Sequence, residues 1–359
     1  MTDKTWETLF LEMREIAERG NAKAQFNLGI MYATGQGVKQ DDALNVKWNR
    51  KAATQGYSDA QFNLGCMYFE GLGVKQNSVQ AMKWWNRAAK QGHAEAQHNL
   101  GNAYAEGKDV AQDYGKAAKL WLKAAEQGVA NAQVSLGGCY ASGQGVEQNY
   151  AHAAAWWSLA AERGHPAAQY HFGILYASGQ GVPQDQHKAI KWMIRAAEQG
   201  HAEAQAVLFL ETQKDALQGI DDAQCAVGMM YAQGQGVAKD EAQAIAWWLK
   251  AAAQGNAEAQ FNLGGSYAKG FGVEQDDIEA KKWFLQAAEQ GHGDAQVNLG
   301  LMYIHGRGGP QDVPQAMDWW IKAAAQDHPV ALSLINNLLH AQRPDYEPDQ
   351  SKESDLRYN

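Results

Sequence analysis

Ala-Gln pairs recur along this chain at a fixed spacing, which constrains the fold more than any other feature. The first begins at Ala24, and five more follow at steps of 36 residues, the last of them at Ala204. The next begins at Ala223, only 19 residues later, and two more steps of 36 lead to Ala295. A period of 36 residues is too long for a heptad and is typical of a solenoid of helix–turn–helix units.

The unit that contains Ala96 shows the predicted pair of helices. Residues 94–106 carry apolar side chains at every fourth position, as one face of a helix does. After a glycine-containing loop, Asp113 is a suitable N-cap for a second helix over residues 113–127. Gly128 then suits the position just past its end. We call these the first-type and second-type helices of a unit.

Tryptophan and glycine occupy fixed positions in the repeat. Twelve of the 13 tryptophans lie at two adjacent positions of the second-type helix, as Trp84 and Trp85 do. A glycine such as Gly65 lies inside each first-type helix, where glycine costs about 0.5–1 kcal/mol relative to alanine. Its recurrence therefore predicts a close helix–helix contact at that position.

The repeated motif is A-x-A-Q-x-x-L-G-x-x-Y-x-x-G-x-G-V, followed by D-x-x-x-A-x-x-W and A-A-x-x-G. It resembles the Sel1-like repeat, a relative of the tetratricopeptide repeat (TPR), from about residue 20 to residue 342. The resemblance implies an all-α fold, a right-handed α-solenoid of antiparallel helix pairs with a 36-residue TPR-like repeat. It also implies an adaptor that works in protein complexes.

The single 19-residue step interrupts the regular array. The segment after Gln205 lacks 17 residues of a full unit, which corresponds to one loop and half of each helix. Either a defect in the superhelix or a continuous stack with a shortened helix pair is consistent with this. The predicted segments are an N-terminal capping helix (1–20), five regular repeats with the start of a sixth (21–205), a truncated repeat or defect (206–220), three repeats (221–328), a C-terminal capping helix (329–342) and a disordered tail (343–359).

Charge and hydropathy exclude several classes of function. The chain has 31 Lys and Arg against 40 Asp and Glu, a formal charge of −9 that disfavours nucleic-acid binding. No segment is apolar enough to span a membrane, and the charged N-terminus does not resemble a signal peptide. We therefore expect a cytoplasmic protein that binds neither nucleic acid nor membrane.

No set of residues predicts catalysis, a cofactor or a metal site. The three cysteines, Cys66, Cys139 and Cys225, are widely spaced at helical positions, and we expect them to be reduced and to act as small hydrophobic residues. The G-x-G loops recur in nearly every unit, so they are repeat loops and not a dinucleotide motif. Histidines such as His93 and His165 precede first-type helices, where we expect them to act as caps or junction residues.

The candidate binding residues occupy the two positions after each Ala-Gln pair. We expect them to face the concave groove, where Asn can bind a peptide backbone and aromatic rings provide contact area. In related tetratricopeptide domains, Asn at the matching position holds the ligand backbone. The alternative is that the Asn side chains bond within the solenoid and the aromatic rings pack between repeats. The candidates are Phe26, Asn27, Phe62, Asn63, His98, Asn99, Tyr170, His171, Phe261, Asn262 and Asn298.

The predicted function is a non-enzymatic scaffold or adaptor that binds a polypeptide in the groove. The alternative is an immunity or inhibitor protein that wraps a basic toxin or enzyme. In both cases the partner is a protein or peptide, and the acidic net charge favours a basic one. The sequence leaves the oligomeric state open, with a monomer as the expectation.

Overall fold

The computed structural model describes residues 5–107 and 109–341, and every regular element within them is an α-helix. The helices are α1 (Trp6–Glu18), α2 (Ala22–Thr34), α3 (Asp42–Thr54), α4 (Ser58–Glu70), α5 (Ser78–Lys90), α6 (Ala94–Glu106), α7 (Tyr114–Glu126), α8 (Ala130–Ser142), α9 (Tyr150–Glu162), α10 (Pro166–Ser178), α11 (Gln186–Glu198), α12 (Ala202–Leu217), α13 (Asp221–Gln233), α14 (Glu241–Ala253), α15 (Ala257–Lys269), α16 (Asp277–Glu289), α17 (Gly293–His305), α18 (Val313–Ala324) and α19 (Pro329–Ala341). None of the helices in this part of the protein has the length and apolar character that a membrane span requires.

The chain divides into two compact units, Met1–His201 and Ala202–Asn359. Unit 1 contains α1 to α11, and unit 2 contains α12 to α19. Within each unit, every helix packs against the next in sequence, first-type helix against second-type helix. The predicted all-α solenoid of helix pairs is confirmed. The predicted tail, residues 343–359, lies outside the described residues.

The predicted caps of the second-type helices are confirmed. Asp113 Oδ1 accepts a hydrogen bond from Lys116 N at 2.8 Å, and Asn77 Oδ1 accepts one from Gln80 N at 3.0 Å. Gly128, just past the end of α7, has a φ of 90°, which suits glycine. Short polar side chains therefore fix where each of these helices begins.

The two adjacent tryptophans of a second-type helix pack in opposite directions along the stack. Trp84 packs with Val46, Ala52 and Ala53 of the preceding helix pair. Trp85 packs with Ala96 and Leu100 of the following one. The pair therefore contacts both neighbouring repeats, which explains why tryptophan is so frequent in this protein.

In five repeats the glycine inside the first-type helix allows the indole ring of the same repeat to approach, and in the other three Asn49, Met193 or Phe284 lies there instead. A Cβ on Gly101 would lie 2.6 Å from Trp121 Nε1 and 2.7 Å from its Cδ1. The close contact predicted from the recurring glycine is confirmed, and in these five repeats its partner is the tryptophan ring.

The glutamine of most Ala-Gln pairs connects three helices. Gln25 Nε2 donates to Ala17 O of α1 at 3.0 Å, and Gln25 Oε1 accepts from Gln55 Nε2 after α3 at 2.7 Å. The side chain is buried, so these bonds satisfy a group that would otherwise be costly to bury. The same two bonds recur at Gln61, Gln97, Gln169, Gln224, Gln260 and Gln296.

The segment after the 19-residue step differs from the expected remnant of two half-helices. Residues Ala202–Leu217 form one continuous helix, α12. A Cβ on the loop glycine Gly236 would overlap the backbone at Gln205, as one on Gly37 would overlap the backbone at Trp6. Gln205 of α12 therefore occupies the same repeat position as Trp6, the first residue of α1. The first-type helix that a full repeat would place before this position is absent.

Helix α12 begins unit 2 as α1 begins unit 1. Phe209 contacts Tyr231 edge to face at 5.4 Å between ring centroids, as Phe10 contacts Tyr32 at 5.5 Å. Ala216 O accepts from the glutamine of the following first-type helix at 3.1 Å, as its counterpart in α1 does. Both helices also contain the tetrapeptide LFLE around the phenylalanine.

Candidate binding surface

An amide-bearing position recurs on one face of the first-type helices. We call its members, Asn27, Asn63 and Asn99 in unit 1 and Asn262 and Asn298 in unit 2, the amide stripe. All five side chains are half-buried. In unit 1 the stripe stops at α8, because Ser135 and His171 occupy the matching positions of α8 and α10.

Most of the amide stripe lacks strong hydrogen-bond partners within the protein. Within residues 5–107 and 109–341, the side chains of Asn27, Asn63 and Asn298 make no hydrogen bond to another residue. Asn262 Nδ2 donates to Met229 Sδ at 3.5 Å and also interacts with the Cys225 thiol, and Asn99 interacts with His98. Partly accessible amides without internal partners are available to bind an external backbone.

The candidate aromatic residues next to the stripe pack between repeats. Phe62 stacks on His93 at 4.5 Å between ring centroids, and Phe261 stacks on His292 at 4.6 Å. Tyr170 stacks on His201 at 4.8 Å, and Phe26 meets Tyr57 edge to face at 5.3 Å. These contacts agree with the alternative given above, in which the aromatic rings pack between repeats. The four residues remain partly exposed.

The two candidate histidines occupy different environments. His98 replaces the aromatic residue in α6 and is buried, which lowers its pKa. His171 replaces the stripe asparagine in α10 and stacks on the Trp157 ring at 4.7 Å. Both imidazoles thus take part in packing.

Histidine caps join consecutive first-type helices. His93 Nδ1 accepts from Ala96 N at 3.3 Å, while its Nε2 faces Asp59 of the preceding repeat at 3.6 Å. His165 caps α10 in the same way, and its Nε2 lies 2.9 Å from Asn131 Oδ1. An Nδ1 that accepts a hydrogen bond must be unprotonated, so the cap requires the neutral imidazole. Burial lowers the pKa of both histidines and favours that form.

A cleft of about 340 Å³ lies beside the stripe in unit 1, between α4, α5 and α6. Phe69 and Trp85 form an apolar wall, with their ring centroids 5.4 Å apart. The carboxylates of Glu70 and Glu106 and the amide of Asn99 also line it. Of these residues, only Asn99 was expected from the sequence. The two carboxylates could have been noticed in the sequence, because only α4 and α6 of the unit 1 first-type helices end on an acidic residue.

The wall of this cleft contains a buried donor without an acceptor. Trp85 is 4% exposed, and its Nε1 has no hydrogen-bond partner. In the next repeat, Trp121 Nε1 donates to Asn102 Oδ1 at 2.9 Å. Cys66 takes the place of that asparagine, and its thiol interacts with the Trp85 indole without the geometry of a hydrogen bond.

A wider cleft of about 470 Å³ lies along α3. Its lining is basic, with Lys47, Arg50 and Lys51, and contains no member of the amide stripe. Arg50 also donates to Tyr68 Oη at 3.0 Å. This second-type surface therefore differs in charge from the cleft beside the stripe.

The cysteines are poor nucleophiles. All three are unpaired, and burial raises the pKa of Cys139 to about 11 and that of Cys225 to about 12. Thiols with such pKa values are protonated near neutral pH. In the part of the protein that the structure describes, no three His, Cys, Asp or Glu side chains are grouped as metal ligands.

A family model for the Sel1 repeat matches eight segments of the sequence. The matched residues are 22–57, 58–93, 94–129, 130–165, 166–201, 221–256, 257–292 and 293–328. The unmatched gap between the fifth and sixth segments contains α12. A comparison with curated proteins found no match.

Several solved structures are similar. A protective antigen of uropathogenic Escherichia coli strains with an SLR fold is 35% identical, with a TM-score of 0.55 and coverage of 93% of this protein and 83% of the antigen. A Sel1 repeat protein from Oxalobacter formigenes is 33% identical, with a TM-score of 0.42 and coverage of 94% and 95%. An immunity protein from Pseudomonas aeruginosa is 23% identical, with a TM-score of 0.36 and coverage of 55% and 75%.

Proposed function

Because the chain belongs to the Sel1 repeat family, we propose that it is a non-enzymatic scaffold that binds a polypeptide along the amide stripe. Sel1 repeat proteins mediate protein–protein interactions, and the family is generally non-catalytic. The observation that carries the proposal is the row Asn27, Asn63 and Asn99, which repeats one amide per helix pair.

Each stripe amide can serve one peptide group of an extended partner. An asparagine side chain offers both an N–H donor and a carbonyl acceptor, so it can pair with a backbone carbonyl and a backbone N–H together. The neighbouring rings of Phe62 and Phe26 contact aromatic side chains of the next repeat, which fixes the helices that carry the amides. A preorganised row loses less conformational entropy on binding.

A second candidate function is an immunity or inhibitor protein that encloses a basic toxin or enzyme. The observation that favours it is the formal charge of −9, which would accelerate association with a basic partner. Such a complex would be tight, stoichiometric and sensitive to salt. An adaptor would instead bind several partners with lower affinity.

The proposal also covers compartment and assembly. The three unpaired cysteines are consistent with a reducing cytoplasm, where thiols persist. The proposed state of the free protein is a monomer, since the stripe contacts the partner and not a second copy.

Affinity purification of the full-length protein followed by mass spectrometry tests the proposed function. Wild type and the variant Asn63→Ala/Asn99→Ala are compared, with Asn86→Ala, an exposed position of α5, as the control. We expect specific polypeptides that are recovered with wild type and the control and depleted with the double variant. Identical recovery with all three proteins would remove the amide stripe from the function.

A further inference from the structure

The cleft beside Asn99 has features that the proposed function does not use. Glu70 and Glu106 are the last residues of α4 and α6, and both are exposed. Neither forms an ion pair with a lysine, arginine or histidine of the described residues, which leave out residue 108. A carboxylate at a helix C-terminus lies at the negative end of the helix dipole, where it is destabilising without a cation.

This placement is particular to the cleft. The matching last positions are Thr34, Ser142 and Ser178 in the other first-type helices of unit 1, and Gln233, Lys269 and His305 in unit 2. The repeat itself therefore does not require an acidic residue there. Glu70 and Glu106 line the same cleft, together with the carboxylate of Asp109.

The wall of the cleft complements a flat cation. Phe69, which is 48% exposed, provides accessible aromatic surface beside the buried Trp85 ring, and a guanidinium stacks on such a ring while it pairs with carboxylates at its edge. The volume of about 340 Å³ is within the range of about 300–1,000 Å³ typical of ligand pockets.

Resting on the proposed function, we propose that this cleft receives an arginine side chain of the bound polypeptide. The alkyl part of the arginine packs on Phe69 and Trp85, and its guanidinium pairs with Glu70 and Glu106. Asn99 lines the cleft and also belongs to the amide stripe, so the same segment can give its backbone to Asn99 and its arginine to the cleft. The cleft would then favour a basic partner through a local site, in addition to the acidic net charge of the protein.

Fluorine NMR of the full-length protein labelled with 5-fluorotryptophan tests this directly. The probe is Nα-acetyl-arginine amide, and its control is Nα-acetyl-citrulline amide, which has the same shape without the charge. The Trp85 signal is identified with Trp85→Phe. Both probes are also titrated into Glu70→Gln/Glu106→Gln and into a charge-matched control, Glu126→Gln/Glu198→Gln, at exposed ends of second-type helices.

We expect the arginine probe to shift the Trp85 signal saturably in wild type and in the charge-matched control. Loss of the two cleft carboxylates should weaken this binding by about tenfold or more, because it removes charge-assisted hydrogen bonds. Equal shifts with citrulline, no shift of Trp85, or unchanged binding by Glu70→Gln/Glu106→Gln would each overturn the proposal.

The test separates failure of the cleft from failure of the scaffold function. If purified partners bind wild type and Glu70→Gln/Glu106→Gln equally, the arginine site is wrong while the scaffold proposal stands. If the arginine probe binds as expected but no polypeptide is recovered, the site stands and the scaffold proposal is wrong.

Discussion

Gly137 lies against Trp157 with no room for a methyl group, since a Cβ there would overlap Trp157 Nε1 and lie 2.6 Å from its Cδ1. The next residue of α8, Gly138, has nothing within 4 Å of a Cβ. Gly137→Ala should therefore lower the free energy of unfolding by about 1–3 kcal/mol through overpacking. It should also disturb the Trp157 Nε1 bond to Val134 O.

The adjacent substitution is the matched control. Gly138→Ala should raise the free energy of unfolding by about 0.5–1 kcal/mol, because alanine favours a helix interior over glycine. Urea denaturation of both variants measures the effect. Equal and small changes at the two positions would show that the ring contact does not constrain the repeat.

Gln133 is the exception in the ladder of buried glutamines. Its Nε2 donates to Ala125 O at 3.1 Å, but its Oε1 is buried without a donor. Arg163 occupies the position where the other repeats provide a glutamine, and it donates to Gly128 O instead. Arg163→Gln should complete the pair and stabilise the protein by about 0.5–1.5 kcal/mol.

The reverse change provides the comparison for that variant. Gln127→Ala removes the donor to Gln97 Oε1 and should cost about 1–3 kcal/mol by leaving a buried acceptor unpaired. Denaturant midpoints of the two variants are compared with wild type. No stabilisation by Arg163→Gln together with a neutral Gln127→Ala would contradict the role given to the ladder.

Stability should fall in mild acid because of the histidine caps. Burial lowers the pKa of His93 and His165 in the folded state, so the unfolded protein takes up protons first as pH falls. The contribution of the neutral histidine caps to the free energy of unfolding is fully present above the unfolded-state pKa of about 6.5. It declines as the pH falls from there through the lowered pKa of the folded state. The variant His93→Asn/His165→Asn retains a cap, as Asn21 and Asn256 show, without the titration.

Thermal unfolding at about pH 7 and about pH 5 measures that difference, since histidine titrates in this window. We expect the double variant to lose less stability between the two conditions than wild type. If both lose the same amount, the caps do not titrate as described.

Phe209 and Phe10 should each support their own unit. Phe→Ala at a buried position costs about 3–5 kcal/mol, and both rings are buried beside the first tyrosine of their unit. Hydrogen exchange of Phe209→Ala should increase in α12 to α14, whereas that of Phe10→Ala should increase in α1 to α3. Faster exchange across the whole protein in either variant would contradict separate starting helices.

Much of the fold follows from the sequence because the repeat provides several copies of each position. A single mid-helix glycine such as Gly101 is ambiguous, but eight at one register indicate a recurring close contact, which Trp121 makes with Gly101. The Asp and Asn caps were predictable for the same reason, since a local side-chain bond determines them.

The residues that the sequence did not predict depend on contacts between repeats. The stacking of Phe62 on His93 joins residues 31 positions apart and has no local signature. The Ala-Gln pair at Ala204 and Gln205 suggested a first-type helix, although α12 follows the register of α1. The repeated LFLE around Phe10 and Phe209 was the available signal.

The most direct test of the scaffold account is the affinity of the tightest polypeptide recovered by affinity purification, measured by isothermal titration calorimetry. Wild type is compared with Asn63→Ala/Asn99→Ala, with Asn86→Ala as the control and circular dichroism to verify folding. We expect the double variant to bind about tenfold or more weakly, because two pairs of hydrogen bonds to the partner backbone are lost. Unchanged affinity in a folded double variant would contradict the central claim that the amide stripe holds the partner.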